Sequence, residues 1–233
     1  MRGNTDRPHR LDWMKKKPPR TTNGSRRDPE RTRAAILAAA VDEFAAHGLG
    51  GARVDRIAAR AGANKRMLYY YFGDKDGLFL AALEDRYAHI RSAEAALDLE
   101  HLDPRKALKR LVEFTWNYLL EHPEFMALLN SENLHLGRHV GQSRRVREMH
   151  SPLVEMLREI LRRGEREGLF RRGVDPVQLY ISIAAEGYFY LSNRHTLSRI
   201  FGRDLMAPKA LAERARHNAD MIVYALRRLP ARR

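Results

Sequence analysis

The stretch RVDRIAARAGANKRMLYYYFGDK, residues 53–75, decides the fold. Apolar residues recur in its first half at the spacing of one helix face, which predicts a helix over 54–61. Gly62 then supplies the positive φ that ends a helix, and Asn64 is a favourable N-cap for a second helix over 65–72. Two short helices around a glycine-containing turn predict a helix-turn-helix, a motif whose second helix fits the major groove.

The second of these helices carries more aromatic and basic side chains than a small core can accept. Leu68 and Phe72 stand four residues apart and are expected to point inward. Three consecutive tyrosines follow Leu68, and one helical turn cannot bury all three. Basic and aromatic side chains on an exposed helix suit phosphate oxygens and base edges, so we expect this helix to bind DNA. The alternative is an ordinary packed helix pair with tyrosines in its core.

The segment IAARAGANKRMLYYYFGDKDGL, residues 57–78, resembles the signature of the tetracycline repressor (TetR) family of transcription regulators. In that signature IA..AG is followed by a short recognition helix and LY.YF..K. The resemblance covers about residues 33–83 and implies a DNA-binding domain. Arg53 stands where a threonine commonly caps the helix, and Arg66 and Met67 replace small residues, which should alter the base preference.

The pattern and the resemblance together predict which residues contact DNA. Lys65, Arg66, Tyr69 and Tyr70 are expected to contact bases or nearby phosphates. The lysine that matches Lys75 contacts the DNA backbone in the resembled family. The full predicted set is Arg53, Asn64, Lys65, Arg66, Met67, Tyr69, Tyr70, Tyr71 and Lys75.

Charge and composition limit the classes of partner. The 233 residues include 43 Lys and Arg against 29 Asp and Glu, a formal net charge of +14. This balance favours a polyanionic partner, although membrane surfaces are polyanionic too. Cysteine is absent, which excludes disulfides, a thiol nucleophile and a cysteine-ligated zinc site. No run of about 18 apolar residues and no secretory signal is present, so we expect a cytoplasmic protein without a membrane span.

Composition divides the chain into three parts. Residues 1–27 carry nine Lys or Arg against two Asp, a net +7, without apolar periodicity, which predicts a disordered basic arm. Residues 28–82 are expected to form the DNA-binding domain, and residues 83–233 a helical domain for effector binding and dimerisation. The arm either lies along phosphates or the minor groove, or is only a solubilising tail.

The rest of the pattern is helical, with no strand signal. Asp-Pro pairs at 28, 103 and 175 mark helix starts, with Asp as the N-cap and Pro at the first helical position. We therefore predict an all-α fold. Outside the helix-turn-helix, its helices are expected at about 29–47, 75–95, 104–121, 125–136, 146–166, 177–196 and 208–229.

Polar side chains lie in or beside the predicted apolar faces of the second domain. In one interpretation they satisfy one another or the backbone, because buried polar groups need partners. In the other, several converge on a cavity for a small organic effector, as the resemblance implies. The candidate effector residues are Trp116, Asn130, Asn133, His135, Glu186, Tyr190 and Asn193.

The helix predicted over 177–196 is apolar on more faces than one neighbouring layer could cover. The last helix carries a separate apolar stripe. Two such helices from each subunit would make a four-helix interface about a two-fold axis, and the resembled family dimerises in this way. The expected interface residues are Tyr188, Leu211, Ala215, Ala219, Ile222 and Leu226.

Metal and catalytic chemistry find little support in the sequence. His135 and His139 stand four residues apart, and Glu132 or His150 could add a third ligand, but no HExxH motif is present and we expect no metal. GLGG at 48–51 lacks the GK[ST] of a phosphate-binding loop. No nucleophile motif occurs, so we expect no cofactor and no catalytic residues.

The expected function is a ligand-responsive repressor that binds a pseudo-palindromic operator in double-stranded DNA as a homodimer. A small organic effector is expected to release it. Two alternatives stay open: a constitutive, low-specificity basic DNA-binding protein, and an enzyme with a DNA-binding head.

Overall fold

The computed structural model describes residues 28–227, which form eleven α-helices and no strand within that range. The all-α prediction is therefore confirmed, whereas the predicted basic arm at 1–27 and the predicted end of the last helix at 229 lie outside the described residues. The helices are α1 Pro29–Gly51, α2 Val54–Arg60, α3 Lys65–Phe72, α4 Lys75–Ala95, α5 Pro104–Glu121, α6 Pro123–Leu134, α7 Arg138–Gln142, α8 Arg144–Arg166, α9 Pro176–Ser192, α10 Arg194–Phe201 and α11 Pro208–Ala225.

The helix starts follow the predicted capping chemistry. The Asp103 carboxylate accepts the N–H groups of Arg105 and Lys106, and Asp28 and Asp175 each accept one N–H in the first turn of their helices. Each of these helices has proline at its first position. These caps satisfy N–H groups that have no partner within a helix, so the predicted starts are the observed ones.

Several helix ends differ from the prediction, since α6 ends at Leu134 and not at 136, and α11 ends at Ala225 and not at 229. Two further differences have a local cause. Helix α1 continues beyond His47 to Gly51 across a kink at Gly48, where φ is 63°. The helix predicted over 177–196 stops at Ser192, because Asn193 leaves the helical conformation and its side-chain amide donates to the carbonyl of Phe189. Helix α10 then begins at Arg194 and had not been predicted as a separate helix.

The segment 28–82, here called the head, does not close its core alone. Phe44, Ile57 and Leu68 from α1, α2 and α3 are fully buried together with Leu128, which belongs to α6. The head and the rest of the chain therefore share one apolar cluster. Two further clusters fill the remainder, one around α5, α8 and α11 and one around Trp116.

A tight turn after α8 brings Phe170 back onto its own helix. The N–H groups of Leu169 and Phe170 both donate to the carbonyl of Gly164, at 2.8 and 3.1 Å. The Phe170 ring lies so close that a Cβ atom on Gly164 would stand 2.0 Å from its Cδ2. Only glycine allows this approach, and the buried ring anchors the cluster around α8 and α11.

We predict that Gly164→Ala lowers the free energy of unfolding by about 1–3 kcal/mol, because the added methyl group overpacks a buried ring. Urea unfolding followed by circular dichroism measures the change. Gly141→Ala is the matched control, since a Cβ at this helical position meets nothing within 4 Å. It should be neutral or stabilising by up to about 1 kcal/mol. Equal losses from both substitutions would contradict the packing argument.

Candidate DNA-binding surface and effector cavity

A buried carboxylate from α1 sets the start of α2. Glu43 is buried, and its Oε1 accepts the backbone N–H of Arg53 at 2.9 Å and the Nε–H of Arg56 at 2.7 Å. Arg53 is the N-cap residue of α2 and makes no side-chain cap of its own. Glu43 therefore accepts the N–H of the N-cap residue from another helix, which is the role that the N3 carboxylate has in a capping box.

The same contacts keep Glu43 ionised. Burial opposes the charged form, but the hydrogen bonds from Arg56 and the Arg53 N–H, together with the nearby guanidinium, lower the pKa of Glu43 below its ordinary value near 4.5. The stabilisation is present above the ordinary pKa and is lost as pH falls through the lower value of the folded state. This carboxylate was not among the predicted site residues.

Helix α3 presents a strongly exposed aromatic and basic surface. Tyr70 is 82% exposed and Tyr69 is 47% exposed, and Arg66 beside them is also exposed. The Asn64 side chain accepts the N–H of Met67 at 2.9 Å and so caps α3 at its first turn. A short capped helix with exposed basic and aromatic side chains is suited to contacts in the major groove.

Four of the predicted DNA-contact residues are more constrained than the sequence suggested. Met67 and Tyr71 are half-buried and pack against the cluster of the head, so they are not fully outward-facing. The Lys65 ammonium lies 2.5 Å from the Asp55 carboxylate, and Lys75 Nζ lies 3.5 Å from the carbonyl of Gly50. Both lysine side chains therefore already have acceptors within the head.

A cavity of about 490 Å³ lies between α4, α5, α6 and α9. Its walls are mainly apolar and aromatic, with a few polar groups, which is typical of small-molecule sites. Its lining residues are Tyr87, Ile90, Arg91, Glu94, Thr115, Leu119, Phe125, Leu129, Asn133, Tyr180, Ile181, Ala184, Ala185 and Tyr188.

Two charged side chains line this cavity. Glu94 is buried and the Arg91 side chain is largely covered, and Arg91 Nε lies 3.0 Å from Glu94 Oε2. Burial raises the pKa of Glu94 to about 7, although the Arg91 charge opposes the shift. Burial also raises the pKa of Tyr87 to about 12, so its phenol is neutral at physiological pH. Sequence reasoning missed both charged residues, because α4 has no clear apolar face from which their burial could be predicted.

Of the seven predicted effector residues, only Asn133 lines the cavity. The other six have different positions or partners, so their predicted convergence on the cavity is corrected. The Glu186 carboxylate pairs with Arg214 at 2.6 Å, and the Tyr190 hydroxyl donates to the Leu205 carbonyl at 2.8 Å. Trp116 is buried in the third cluster, and Asn130 accepts hydrogen bonds from the Tyr188 and Ser192 hydroxyls. His135 Nδ1 lies 2.7 Å from the Ser131 carbonyl. The Asn193 side-chain amide donates to the Phe189 carbonyl.

Helix α6 touches both the cavity and the head. Leu129 and Asn133 line the cavity, while Leu128 on another face is buried in the cluster of the head. The Ser131 hydroxyl accepts the N–H of Leu49 at 3.0 Å in a buried hydrogen bond. A displacement of α6 would therefore disturb α1 directly.

A second connection from α6 passes through α7. The buried Glu132 carboxylate accepts the N–H groups of His139 and Val140 at 2.7 and 2.8 Å, and its other oxygen lies 2.6 Å from His139 Nδ1. Arg138 Nη2 then donates to the Asp76 carboxylate at 2.7 Å. Asp76 lies in the first turn of α4, so α6 is joined to the helix that follows the recognition helix.

The histidine pair that suggested a metal has other neighbours. His139 lies against Glu132, and the rings of His135 and His139 are 6.0 Å apart. Over residues 28–227, no three His, Cys, Asp or Glu side chains are grouped in a way that could hold a metal ion. Within the same range, no helix has the length and apolarity that crossing a bilayer requires.

The apolar stripe of α11 does not face outward. Ala219, Ile222 and Leu226 are buried in a cluster of their own chain, and α11 packs chiefly against α5 and α9. Leu211 and Ala215 pack against the cluster around Trp116, and Tyr188 lies on the cavity wall. The assignment of Ala219, Ile222 and Leu226 to a dimer interface is therefore corrected, because neighbouring helices of the same subunit already cover them. Leu211, Ala215 and Tyr188 are half-buried, and their part in an interface stays a prediction. Charging Ile222 or Leu226 would disrupt this core.

Other apolar residues of the last helices are exposed instead. On α9, Val177, Ile181 and Phe189 lie along one inclined row of the helix surface, the exposed stripe, at a spacing of four residues or a multiple of four, and Phe189 is 61% exposed. On α11, Tyr224 is 66% exposed and Met221 is also exposed. Helix α9 is thus not buried on every side by its own chain.

Comparison with known families finds matches over most of the chain. Residues 36–82 match the sequence profile of bacterial regulatory proteins of the tetR family. Residues 104–222 match the profile of the tetracyclin repressor-like C-terminal domain. The second match alone covers half of the chain.

Named relatives are transcriptional regulators. The HTH-type transcriptional repressor NicS of Pseudomonas putida is 42% identical over 209 residues, which are 90% of this chain and 99% of that protein. The HTH-type transcriptional repressor SCO4008 of Streptomyces coelicolor is 41% identical over 111 residues, 48% of this chain and 54% of that protein.

Solved structures share the fold. The transcriptional regulator SCO4942 of Streptomyces coelicolor superposes with a TM-score of 0.62 at 25% identity, covering 84% of this chain and 98% of that one. The regulator FadR of Bacillus subtilis has a TM-score of 0.63 at 17% identity, covering 83% and 99%. The second likeness concerns the fold alone.

We predict that Glu43→Gln lowers the free energy of unfolding by about 1–3 kcal/mol at neutral pH, because it removes a charge from a buried hydrogen-bonded group. Asp42→Asn is the matched control. Asp42 lies on the same helix in an exposed ion pair with Arg60, and its loss should change stability by less than about 1 kcal/mol. Urea unfolding compares the two. A Glu43→Gln loss no larger than that of the control would refute the capping role of Glu43.

Proposed function

The chain belongs to the TetR family of bacterial transcriptional regulators, and we propose on this basis that it binds a pseudo-palindromic operator as a homodimer and is released by a small organic effector. It is a ligand-responsive transcriptional repressor and not an enzyme. The main observation behind the finer proposal is that one helix, α6, contacts both the small-molecule cavity and the head that carries the exposed recognition helix. As an operator-binding regulator, the protein is expected to act in the cytoplasm.

The head, residues 28–82, is proposed to dock α3 in the major groove. Arg66, Tyr69 and Tyr70 are exposed on this helix, as is Lys65 beside Asp55, and the three are suited to phosphates and base edges. Arg53 at the start of α2 is exposed and can reach the backbone once Glu43 holds its N–H. We propose that Asn64, Lys65 and Lys75 support these contacts from the turn and the start of α4, with Met67 and Tyr71 fixing the helix on the head.

Release is proposed to act through α6. An effector in the cavity contacts the face of α6 that carries Leu129 and Asn133. The opposite contacts of α6 hold Leu49 of α1 and, through Glu132, the start of α7. A shift of α6 therefore changes the orientation of the head, and with it the spacing of the two recognition helices. An effector shifts the equilibrium only by its difference in affinity for the two arrangements.

Dimerisation is proposed to use the exposed faces of α9 and α11 in place of the stripe expected from the sequence. Phe189 on α9 and Tyr224 on α11 are the most exposed apolar residues of these two helices. A two-fold arrangement would cover them with their copies in the second subunit. Two heads are needed because half-sites lie about 34–36 Å apart, or a multiple of that distance.

A constitutive, low-specificity DNA-binding protein is the second candidate, and the net charge of +14 favours it. DNase footprinting on DNA upstream of the gene separates the two. Protection confined to an inverted repeat supports the operator, whereas protection of every fragment at similar concentrations supports the alternative.

We predict that Arg66→Ala and Tyr69→Ala each weaken operator binding by about 1–3 kcal/mol, because each removes a groove contact. Fluorescence anisotropy with operator and with scrambled DNA at moderate salt measures the loss. The control is Arg110→Ala, which removes one positive charge from an exposed position on α5, far along the chain from the head. If both head variants bind the operator like the control, the proposed face is wrong.

We predict that Phe189→Glu combined with Tyr224→Glu gives monomers that keep their helical content, because both side chains are exposed within one subunit. Operator affinity should fall towards the non-specific range of about 10⁻⁴–10⁻⁶ M. Leu134→Glu charges a similarly exposed apolar residue on α6 and should leave the dimer intact. Sedimentation velocity and circular dichroism provide the readouts. A double variant that still sediments as a dimer would exclude this interface.

A further inference from the structure

We propose that the effector is a small monocarboxylate with an apolar ring, and that Arg91 binds its carboxylate inside the cavity. This inference rests on the proposed function, in which the cavity between α4, α5, α6 and α9 is the effector site. It names the chemical class of ligand and the residue that selects it. Neither follows from the match to the family.

The guanidinium of Arg91 lies in the cavity wall with unused hydrogen-bonding capacity. Its side chain is 9% exposed, and its Nε and Nη1 atoms are buried without a hydrogen-bond partner within the described chain. Buried donors are normally paired, and an unpaired one costs about 1–3 kcal/mol, more when the group is charged. A ligand that supplies acceptors at this position would recover that energy.

Glu94 does not satisfy Arg91. Its Oε2 lies 3.0 Å from Arg91 Nε, but the geometry is not that of a hydrogen bond, and Oε2 is itself buried without a hydrogen-bond partner. Because the pKa of Glu94 is raised to about 7, a large fraction of its carboxyl groups are protonated at neutral pH. The site then has a net positive charge and can also donate one O–H group to an anion.

A carboxylate fits this arrangement best. Its two oxygens can accept N–H groups from Nη1 and Nη2 together, a planar pair on one edge of the guanidinium, and this bidentate geometry is among the strongest for arginine. Nε lies on a different edge from Nη1, so such a carboxylate would satisfy Nη1 and not Nε. A neutral ligand would leave the guanidinium charge uncompensated, and a cation would be repelled by it. Arg91 is the only cationic side chain among the cavity-lining residues of the described chain, so a single negative charge is the expected limit.

The remaining wall selects the body of the ligand. Phe125, Tyr180 and Tyr188 present aromatic surface, and Leu119 and Ile90 add aliphatic surface. Aromatic walls favour a flat ring through stacked or edge contacts. A volume of about 490 Å³ is near the lower end of ordinary ligand sites, which suits one or two rings.

Binding of benzoate, 4-hydroxybenzoate, phenylacetate and 2-naphthoate to the full chain, each compared with its matched amide, tests the proposal. Thermal shift screens the panel, and isothermal titration calorimetry without DNA gives the affinities. At least one acid is expected to raise Tm and to bind at least tenfold more tightly than its amide. Equal effects of acids and amides, or no effect from any acid, would overturn the proposal.

Variants assign the effect to Arg91. Arg91→Gln should abolish the preference for acid over amide, and Arg91→Lys should retain part of it, because the charge stays while the planar fork is lost. The lysine variant keeps the test valid if the glutamine variant folds poorly. An unchanged preference in a folded Arg91 variant would overturn the assignment.

The pH dependence tests the role of Glu94. The titratable and charged groups around it are Arg91 and Tyr87 on its own helix, Tyr118 on α5, His150 on α8 and Tyr180 on α9. Burial raises the pKa of Tyr118 to about 12 and lowers the pKa of His150, so Tyr118 is neutral and His150 is mainly neutral between pH 6.5 and 8.0.

Acid binding should weaken roughly five- to tenfold from pH 6.5 to 8.0, because ionised Glu94 competes for Arg91. Glu94→Gln should bind the acid more tightly at pH 8.0 and flatten the profile. An unchanged profile in this variant would refute the competition.

Operator binding in the same preparations separates this inference from the proposed function. Anisotropy with operator DNA needs no effector. If the chain binds its operator but shows no preference for acids, the proposed ligand class is wrong and the proposed function as an operator-binding regulator is retained. If it binds the acids without recognising any operator, the proposed function fails and the proposal that Arg91 binds a carboxylate in the cavity is retained.

Discussion

The packing of α6 against α1 is the interaction on which the rest of the structure depends. Leu128 completes the apolar cluster of the head, and the Ser131 hydroxyl accepts the N–H of Leu49 at the kinked end of α1. A segment of about 55 residues is close to the size at which a single core is only marginally stable. The head therefore depends on a helix from outside residues 28–82, and a displacement of that helix would disturb the head.

Within the head, polar groups rather than apolar ones set the orientation of the helix-turn-helix. Glu43 crosses from α1 to hold the Arg53 N–H and the Arg56 guanidinium, and Asn64 caps α3. Hydrogen bonds are directional, so they fix the angle and register of short helices that packing alone would leave variable. The exposed tyrosines of α3 are thereby presented from a rigid base.

Helix α9 contributes both to an exposed apolar stripe and to the wall of the cavity. Ile181 belongs both to the exposed stripe and to the wall of the cavity, and Tyr188 closes the same wall. In the proposed dimer, this helix would lie between the effector and the second subunit. Effector binding and subunit spacing would then be coupled through α9 as well as through α6, because neither helix can move without changing both of its faces.

The sequence by itself determined the helices and the character of the recognition helix, since both depend on local information. The bounds of α3, α4 and α5 agree with the predicted ones, because caps such as Asn64 and Asp103 act within one turn. Only the tertiary structure decided which face of each helix is covered. The stripe of α11 that ends at Leu226 proved to be core, and Arg91 and Glu94 proved to line the cavity. Periodicity shows that a face is apolar but not which neighbour buries it, and the burial of a charge depends on residues that are distant in the chain.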